Sequence, residues 1–117
     1  NMRRKNALLF QEVMTNNTHI QIQEEIDKSS WFGFSLTIKD PTKISRKDLR
    51  EKLTENGFEV RPVVTGNFTK QPVMKFLNAD TYGNLKNANY IDSHSLFIGN
   101  NHFDMEEAIT KLGEIRF

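Results

Sequence analysis

The sequence predicts an α+β domain, a two-layer sandwich in which a small sheet of about four strands carries helices mainly on one face. Three observations point there. Trp31–Lys39 alternates apolar and polar residues at period two, with Phe32, Phe34, Leu36 and Ile38 on one face. Ser45–Gly57 has helical spacing and marked ends. Phe58–Val64 then returns as an apolar run, so strand, helix and strand follow in order. If those two strands are parallel neighbours, their crossover is right-handed.

The chain has 117 residues, the size of one domain, so residues 1–117 are expected to form a single unit. Residues 1–16 carry Ala7, Leu8, Phe10, Val13 and Met14 at helical spacing. Arg3, Arg4 and Lys5 occupy the first turn, where the helix dipole disfavours cations, and no capping residue with an acidic first turn precedes them. This start fits either a frayed terminus or the end of a longer interdomain helix, which would make the chain an excised C-terminal domain. Ile20 and Ile22 mark a short strand. Trp31–Lys39 is the expected central strand, with Gly33 suited to a bulge or a close backbone approach.

In the next helix Ser45 and Asp48 form a near capping box, Ile44 and Leu49 a hydrophobic staple, and Gly57 a stop. Pro62 removes a backbone donor, so the strand after it ends or lies at an edge. Pro72 can open a helical turn. Leu85, Ala88 and Ile91 mark a short helix, and Ser95–Gly99 a short buried strand. Asp104 with Glu107 reads as a capping box for the last helix.

Composition excludes several functions. A net charge of +1 disfavours a sequence-independent nucleic-acid surface. With no cysteine there are no disulfides and no thiol catalysis, as suits a reducing compartment. No apolar run approaches the ~18 residues of a membrane span. His19, His94 and His102 lack ligand-like spacing, so no metal is expected. No G-x-S-x-G elbow or P-loop occurs.

Two polar loops remain. Thr65-Gly66-Asn67 follows the strand that carries Arg61, and Asn100-Asn101-His102 follows Gly99. The first is compatible with an anion or polyol site, and equally with an ordinary turn beside a surface arginine. Trp31 and Phe32 suit either a ligand platform or the core. The residues alone identify no reaction.

Taken in order, SSWFGFSLTIKD, SRKDLREKLTENG, RPVVTGNFTKQPVMKFL, NANYIDSHSLFIGNNH and DMEEAITKLGEI resemble the C-terminal small domain of the DegT/DnrJ/EryC1/StrS family. These are pyridoxal-phosphate sugar aminotransferases of the aspartate-aminotransferase fold. SSWFGF, RPVVTGNF and NANYID with FIGN are most similar to the branch of 3-dehydratases acting on nucleotide-linked 4-keto-6-deoxyhexoses, in deoxysugar and lipopolysaccharide O-antigen biosynthesis. The resemblance implies loss of the sugar C3 hydroxyl, with pyridoxal or pyridoxamine phosphate as cofactor and glutamate as amino donor. The catalytic base and cofactor site belong to a larger N-terminal domain and match nothing here, so no catalytic or cofactor-binding residue is assigned and the chain alone is not expected to be active. The resemblance also implies that Arg61, Thr65, Gly66, Asn67, Asn100, His102, Trp31 and Phe32 help hold the nucleotide-sugar. It further implies a cytoplasmic homodimer with no nucleic-acid or membrane partner. The rival readings are the same domain from a sugar 4-aminotransferase of the perosamine-synthase type, or from a CDP-linked 3-dehydrase. A non-catalytic sugar-binding module is the rival of another class.

Overall fold

The computed structural model describes all residues from Asn1 to Phe117. Helix α1 (Met2–Met14) leads to strand β1 (Ile20–Ile22), strand β2 (Gly33–Ile38) and helix α2 (Arg46–Glu55). Two 3-10 turns, Phe68–Lys70 and Pro72–Phe76, precede helix α3 (Lys86–His94), strand β3 (Ser95–Gly99) and helix α4 (Glu106–Glu114). No helix is long and apolar enough to cross a membrane.

The sheet order is β1-β2-β3, with β2 central as its alternation predicts and both pairings antiparallel. The register aligns Ile20 with Ile38, Leu36 with Leu96, and Phe34 with Ile98. These side chains share one face because strand residues alternate sides. That face is covered by Phe10 and Met14 of α1, Leu49 and Leu53 of α2, and Ile109 and Leu112 of α4, all buried. The Phe10 and Phe34 rings stack at 4.2 Å, and Trp31 meets Phe10 edge-on at 6.3 Å. Trp31 is therefore core, only 4% exposed, and forms no open platform. Helix α3 lies over the other face, where Tyr90 Oη donates to the Ile38 carbonyl at 2.9 Å.

The ends of α2 obey local chemistry. Ser45 Oγ accepts from Asp48 N at 3.1 Å while Ser45 N donates to Asp48 Oδ2 at 2.9 Å, a complete capping box. At the other end Gly57 takes φ +87°, Gly57 N donates to Thr54 O and Phe58 N donates to Leu53 O, a Schellman stop.

The fold departs from expectation at two places. The strand expected over Phe58–Val64 shrinks to one antiparallel bridge, Arg61 with Phe97, closed by hydrogen bonds of 2.9 and 2.7 Å. Pro62 follows at once and cannot extend the ladder. The sheet thus has three strands rather than about four, and this segment is not a parallel neighbour of β2. The last helix starts at Glu106 behind Met105, and the expected Asp104–Glu107 box is only half formed: Asp104 Oδ1 accepts from Glu106 N at 2.9 Å, while Glu107 makes no reciprocal bond. Lys5 Nζ claims Asp104 Oδ2 at 2.9 Å and Asn6 Oδ1 accepts from Met105 N at 3.3 Å, which ties this turn to α1 before the helix begins.

Gly33 serves close packing. A Cβ there would strike the Phe97 ring and the Ile98 carbonyl. Gly33→Ala is expected to lower unfolding stability by about 1–3 kcal/mol in urea titrations, the usual cost of overpacking. Much of that loss should be recovered in a Phe97→Leu background. An equal loss in both backgrounds would place the strain elsewhere.

Candidate functional site

The segment after the Arg61 bridge folds into a tight turn closed by Gly66 N donating to Val63 O at 2.8 Å. Val64 sits at φ +49°, unusual for a β-branched residue, and Gly66 at φ +61°. Asn67 then caps the first 3-10 turn, its Oδ1 accepting from Thr69 N at 3.0 Å and from Thr69 Oγ1 at 2.7 Å. Its Nδ2 donates to Asn89 Oδ1 at 2.9 Å, and its backbone N donates to Asp92 Oδ1 at 3.0 Å. Asn67 is consequently 4% exposed, with its side chain fully committed to holding the loop. Thr65 and Val64 are left facing outward.

Asp92 anchors this loop from α3. Its second oxygen accepts from Lys70 Nζ at 2.9 Å. That hydrogen bond, with help from the Asn67 amide, holds the carboxyl below the ordinary aspartate value of 3.8. Asn89 and Asp92 are three residues apart and therefore share one face of α3. Arg46 Nη1 donates to the Asp92 carbonyl at 3.1 Å, fastening α3 to the start of α2.

Arg61 is exposed, and its Nε and Nη2 both donate to Glu59 Oε1, at 3.1 and 2.6 Å. Exposed pairs of this kind are weak, so the guanidinium can exchange Glu59 for another anion. Phe32 does not join Phe34 on the core face as its spacing predicts: it precedes the strand, which begins at Gly33, and is exposed, with its ring 5.0 Å from that of Phe97 on the sheet face opposite the main core. Both rings line an open groove of about 590 Å³ with Arg61, Phe58, Asn101 and Lys111. A second cleft of about 400 Å³ lies between α3 and the sheet, where Gln21, Ser35, Thr37, Tyr90 and Ile91 meet Val63 at the base of the turn.

The second polar loop is elsewhere. Asn100 is 3% exposed, its Nδ2 donating to the carbonyls of Trp31 at 2.7 Å and Arg3 at 2.9 Å, and its Oδ1 accepting from Asn6 Nδ2 at 3.0 Å. It offers no free polar group, so it is a structural residue rather than a ligand contact. His102 is exposed beside Phe103, with ring centroids 5.7 Å apart. The two loops leave opposite ends of β3, on the order of 15 Å apart for five residues at ~3.3 Å each. They do not converge. Thr65 and Gly66 share one end with Asp92, Asn89 and Lys70, whereas Asn100 and His102 share the other with Asn6 and Lys5. Asp92 and Asn89 were missed as loop anchors. Their spacing of three on an otherwise polar helix face, opposite a glycine turn, was the available signal.

All the lysines are exposed or half-buried, and none lies at the base of a closed cavity. The residues present therefore do not build a Schiff-base or phosphate site for pyridoxal phosphate, and none of them is assigned a step through that group.

Residues 1–112 match the model of the DegT/DnrJ/EryC1/StrS aminotransferase family, and the chain belongs to this family. It is 47% identical over 115 residues to GDP-4-keto-6-deoxy-D-mannose 3-dehydratase of Yersinia pseudotuberculosis, covering 97% of this chain and 29% of that protein. Identity to the enzyme of that name from Escherichia coli O55:H7 is 40%, covering 97% of this chain and 30% of the relative. The solved E. coli 3-dehydratase with bound hydrated pyridoxal phosphate superimposes with a TM-score of 0.91 at 40% identity, over 97% of this chain and 29% of that one. A mutant 3-dehydratase solved with GDP-perosamine gives the same TM-score at 40% identity, over 97% of this chain and 30% of that one. The chain thus spans less than a third of the length of these relatives.

The Asp92 tie has a pH signature. Folding lowers the Asp92 pKa, so its contribution is complete above the ordinary value of 3.8 and is lost as the pH falls through the lower folded value. The Asn67 amide resonance is expected to titrate with a midpoint below 3.8, and to lose that titration in Asp92→Asn. A midpoint at or above 3.8 would contradict the tie.

Proposed function

We propose that this chain is the part of a pyridoxal-phosphate-dependent nucleotide-sugar 3-dehydratase that holds the sugar end of a GDP-linked 4-keto-6-deoxyhexose. The observation that carries the reading is the Val63–Asn67 turn, pinned to α3 so that Thr65 faces outward beside an open cleft. The likeness to enzymes named for that reaction supports it. In this reading Thr65 Oγ1 hydrogen-bonds a sugar hydroxyl, and the backbone at Gly66 lets the ring approach closely. Val64 and Phe68, both exposed and apolar, exclude water around the sugar. Arg61 pairs with an anionic portion of the nucleotide by releasing Glu59. Phe32 shapes the neighbouring groove. Asn67 acts through the loop rather than by touching the sugar, and His102 stands too far along β3 to share the same contact.

Cofactor and catalytic base are supplied by other residues of the whole protein. The whole protein is a cytoplasmic homodimer. Val73, Phe76, Leu77 and Tyr82 are exposed on a stretch with no buried side chain, and such a patch would be covered in the larger assembly.

The full-length protein is expected to carry His where aminotransferases carry the Schiff-base Lys. With glutamate it should consume GDP-4-keto-6-deoxymannose and release the 3-deoxy sugar. A Lys at that position with a 4-amino sugar as product would establish the aminotransferase instead. Thr65→Ala should raise KM for the sugar nucleotide by about three- to tenfold, the loss of one hydrogen bond, with kcat nearly unchanged. Unchanged kinetics would remove the loop from the site.

A further inference from the structure

Asp92 has a position that packing alone does not explain. It is a carboxylate on the last full turn of α3, half-buried, and it reaches out of its own helix into a loop 25 residues earlier in the chain. Each oxygen holds a different donor, with Oδ1 accepting from Asn67 N at 3.0 Å and Oδ2 from Lys70 Nζ at 2.9 Å. Those two donors bracket the first 3-10 turn, so one side chain fixes both the start and the end of Asn67–Lys70. The carboxylate also lies directly against Gly66, where a Cβ would collide with Asp92 Oδ1. Gly66 thus has two reasons to lack a side chain, its φ of +61° and the nearness of this carboxylate.

The anchor is itself anchored. Arg46 donates to the Asp92 carbonyl, and Asn89, one turn earlier, receives the Asn67 side-chain amide. The loop makes one backbone bridge to the sheet, at Arg61, before the chain turns away. Helix α3 therefore holds the Gly66–Asn67 side of the turn, and Gln71 Nε2, donating to the Thr65 carbonyl at 2.9 Å, holds Thr65 from the segment that follows.

We propose that Asp92 is a positioning residue for nucleotide-sugar binding, fixing the Thr65–Gly66 edge of the turn through Asn67 N and Lys70. This rests on the reading that the turn contacts the sugar. Asp92 touches no reacting atom. Its carboxylate replaces the ladder that Pro62 terminates, and it leaves the Thr65 hydroxyl free to meet a ligand.

The test uses the full-length protein with Asp92→Asn, Asp92→Ala and Thr65→Ala, assayed with GDP-4-keto-6-deoxymannose and, separately, for the single-turnover half-reaction in which glutamate converts the pyridoxal form of the cofactor to the pyridoxamine form. Asp92→Ala should raise the sugar-nucleotide KM about tenfold while kcat changes less than about threefold, the split expected for lost ground-state positioning. Asp92→Asn keeps an acceptor for Asn67 N and should recover most of that loss. In Asp92→Ala the glutamate half-reaction should lose clearly less than the sugar reaction does. A sugar KM unchanged in Asp92→Ala while Thr65→Ala raises it would overturn the positioning role and leave the loop reading standing. No effect of Thr65→Ala would overturn the loop reading itself. Equal losses in the glutamate and sugar reactions of Asp92→Ala would mean a general folding defect and would also overturn the proposal.

Discussion

The buried asparagine pair Asn6–Asn100 fixes how the helices meet the sheet. Asn6 donates to the Asn100 side chain and to the carbonyls of Asn101 and Phe103, and it accepts from Met105 N. Asn100 reaches the carbonyls of Trp31 and Arg3. Polar groups taken out of water at such a junction are costly unless paired, and here the two side chains pair with four carbonyls, a backbone amide and each other. The network joins α1, the entry to β2, the exit of β3 and the start of α4. With that end of the sheet closed by polar contacts, the stacked rings of Phe10 and Phe34, with Trp31 set edge-on against Phe10, fill the space beneath it.

Strand β3 therefore has two unlike ends. At Asn100 the polar residues are buried and serve the fold. At Ser95 the neighbouring loop is held on the surface, by Asp92 and Asn89 of the helix that leads into the strand. Three helices cover one face of the sheet, and α3 crosses only part of the other. The open remainder is floored by Ser35, Thr37 and Phe97, and it is the side on which the Val63–Asn67 turn stands. A rigid sheet with one uncovered face and one tethered loop can present a few polar groups to a ligand whose chemistry is performed by residues outside the chain.

Much of this was legible in the residues. The alternation of Phe34, Leu36 and Ile38, the Ser45–Asp48 box and the Gly57 stop each follow local rules, and each is found where those rules put it. The family likeness was legible from short motifs in order. What failed was long-range. Nothing local in Phe58–Val64 says that pairing ends after one residue, although Pro62 hinted at it. Asp104 keeps one oxygen on Glu106 N at the helix start, but its other oxygen goes to Lys5, almost the whole chain away, and no box with Glu107 closes. The two Gly-Asn loops look alike in sequence. Only tertiary contacts make Asn100 a buried strut and leave Thr65 at the surface, and the same contacts withdraw Trp31 into the core and turn Asn67 inward.

The central claim is that the Val63–Lys70 turn, and not the Asn100–His102 loop, faces the nucleotide-sugar. Hydrogen–deuterium exchange of the full-length protein with and without GDP-perosamine, a ligand that a relative holds, addresses it most directly. Slowed exchange across Val63–Lys70 on binding, with no change across Asn100–Phe103, is the expected result. Protection confined to Asn100–Phe103, or none in either loop at saturating ligand, would contradict it.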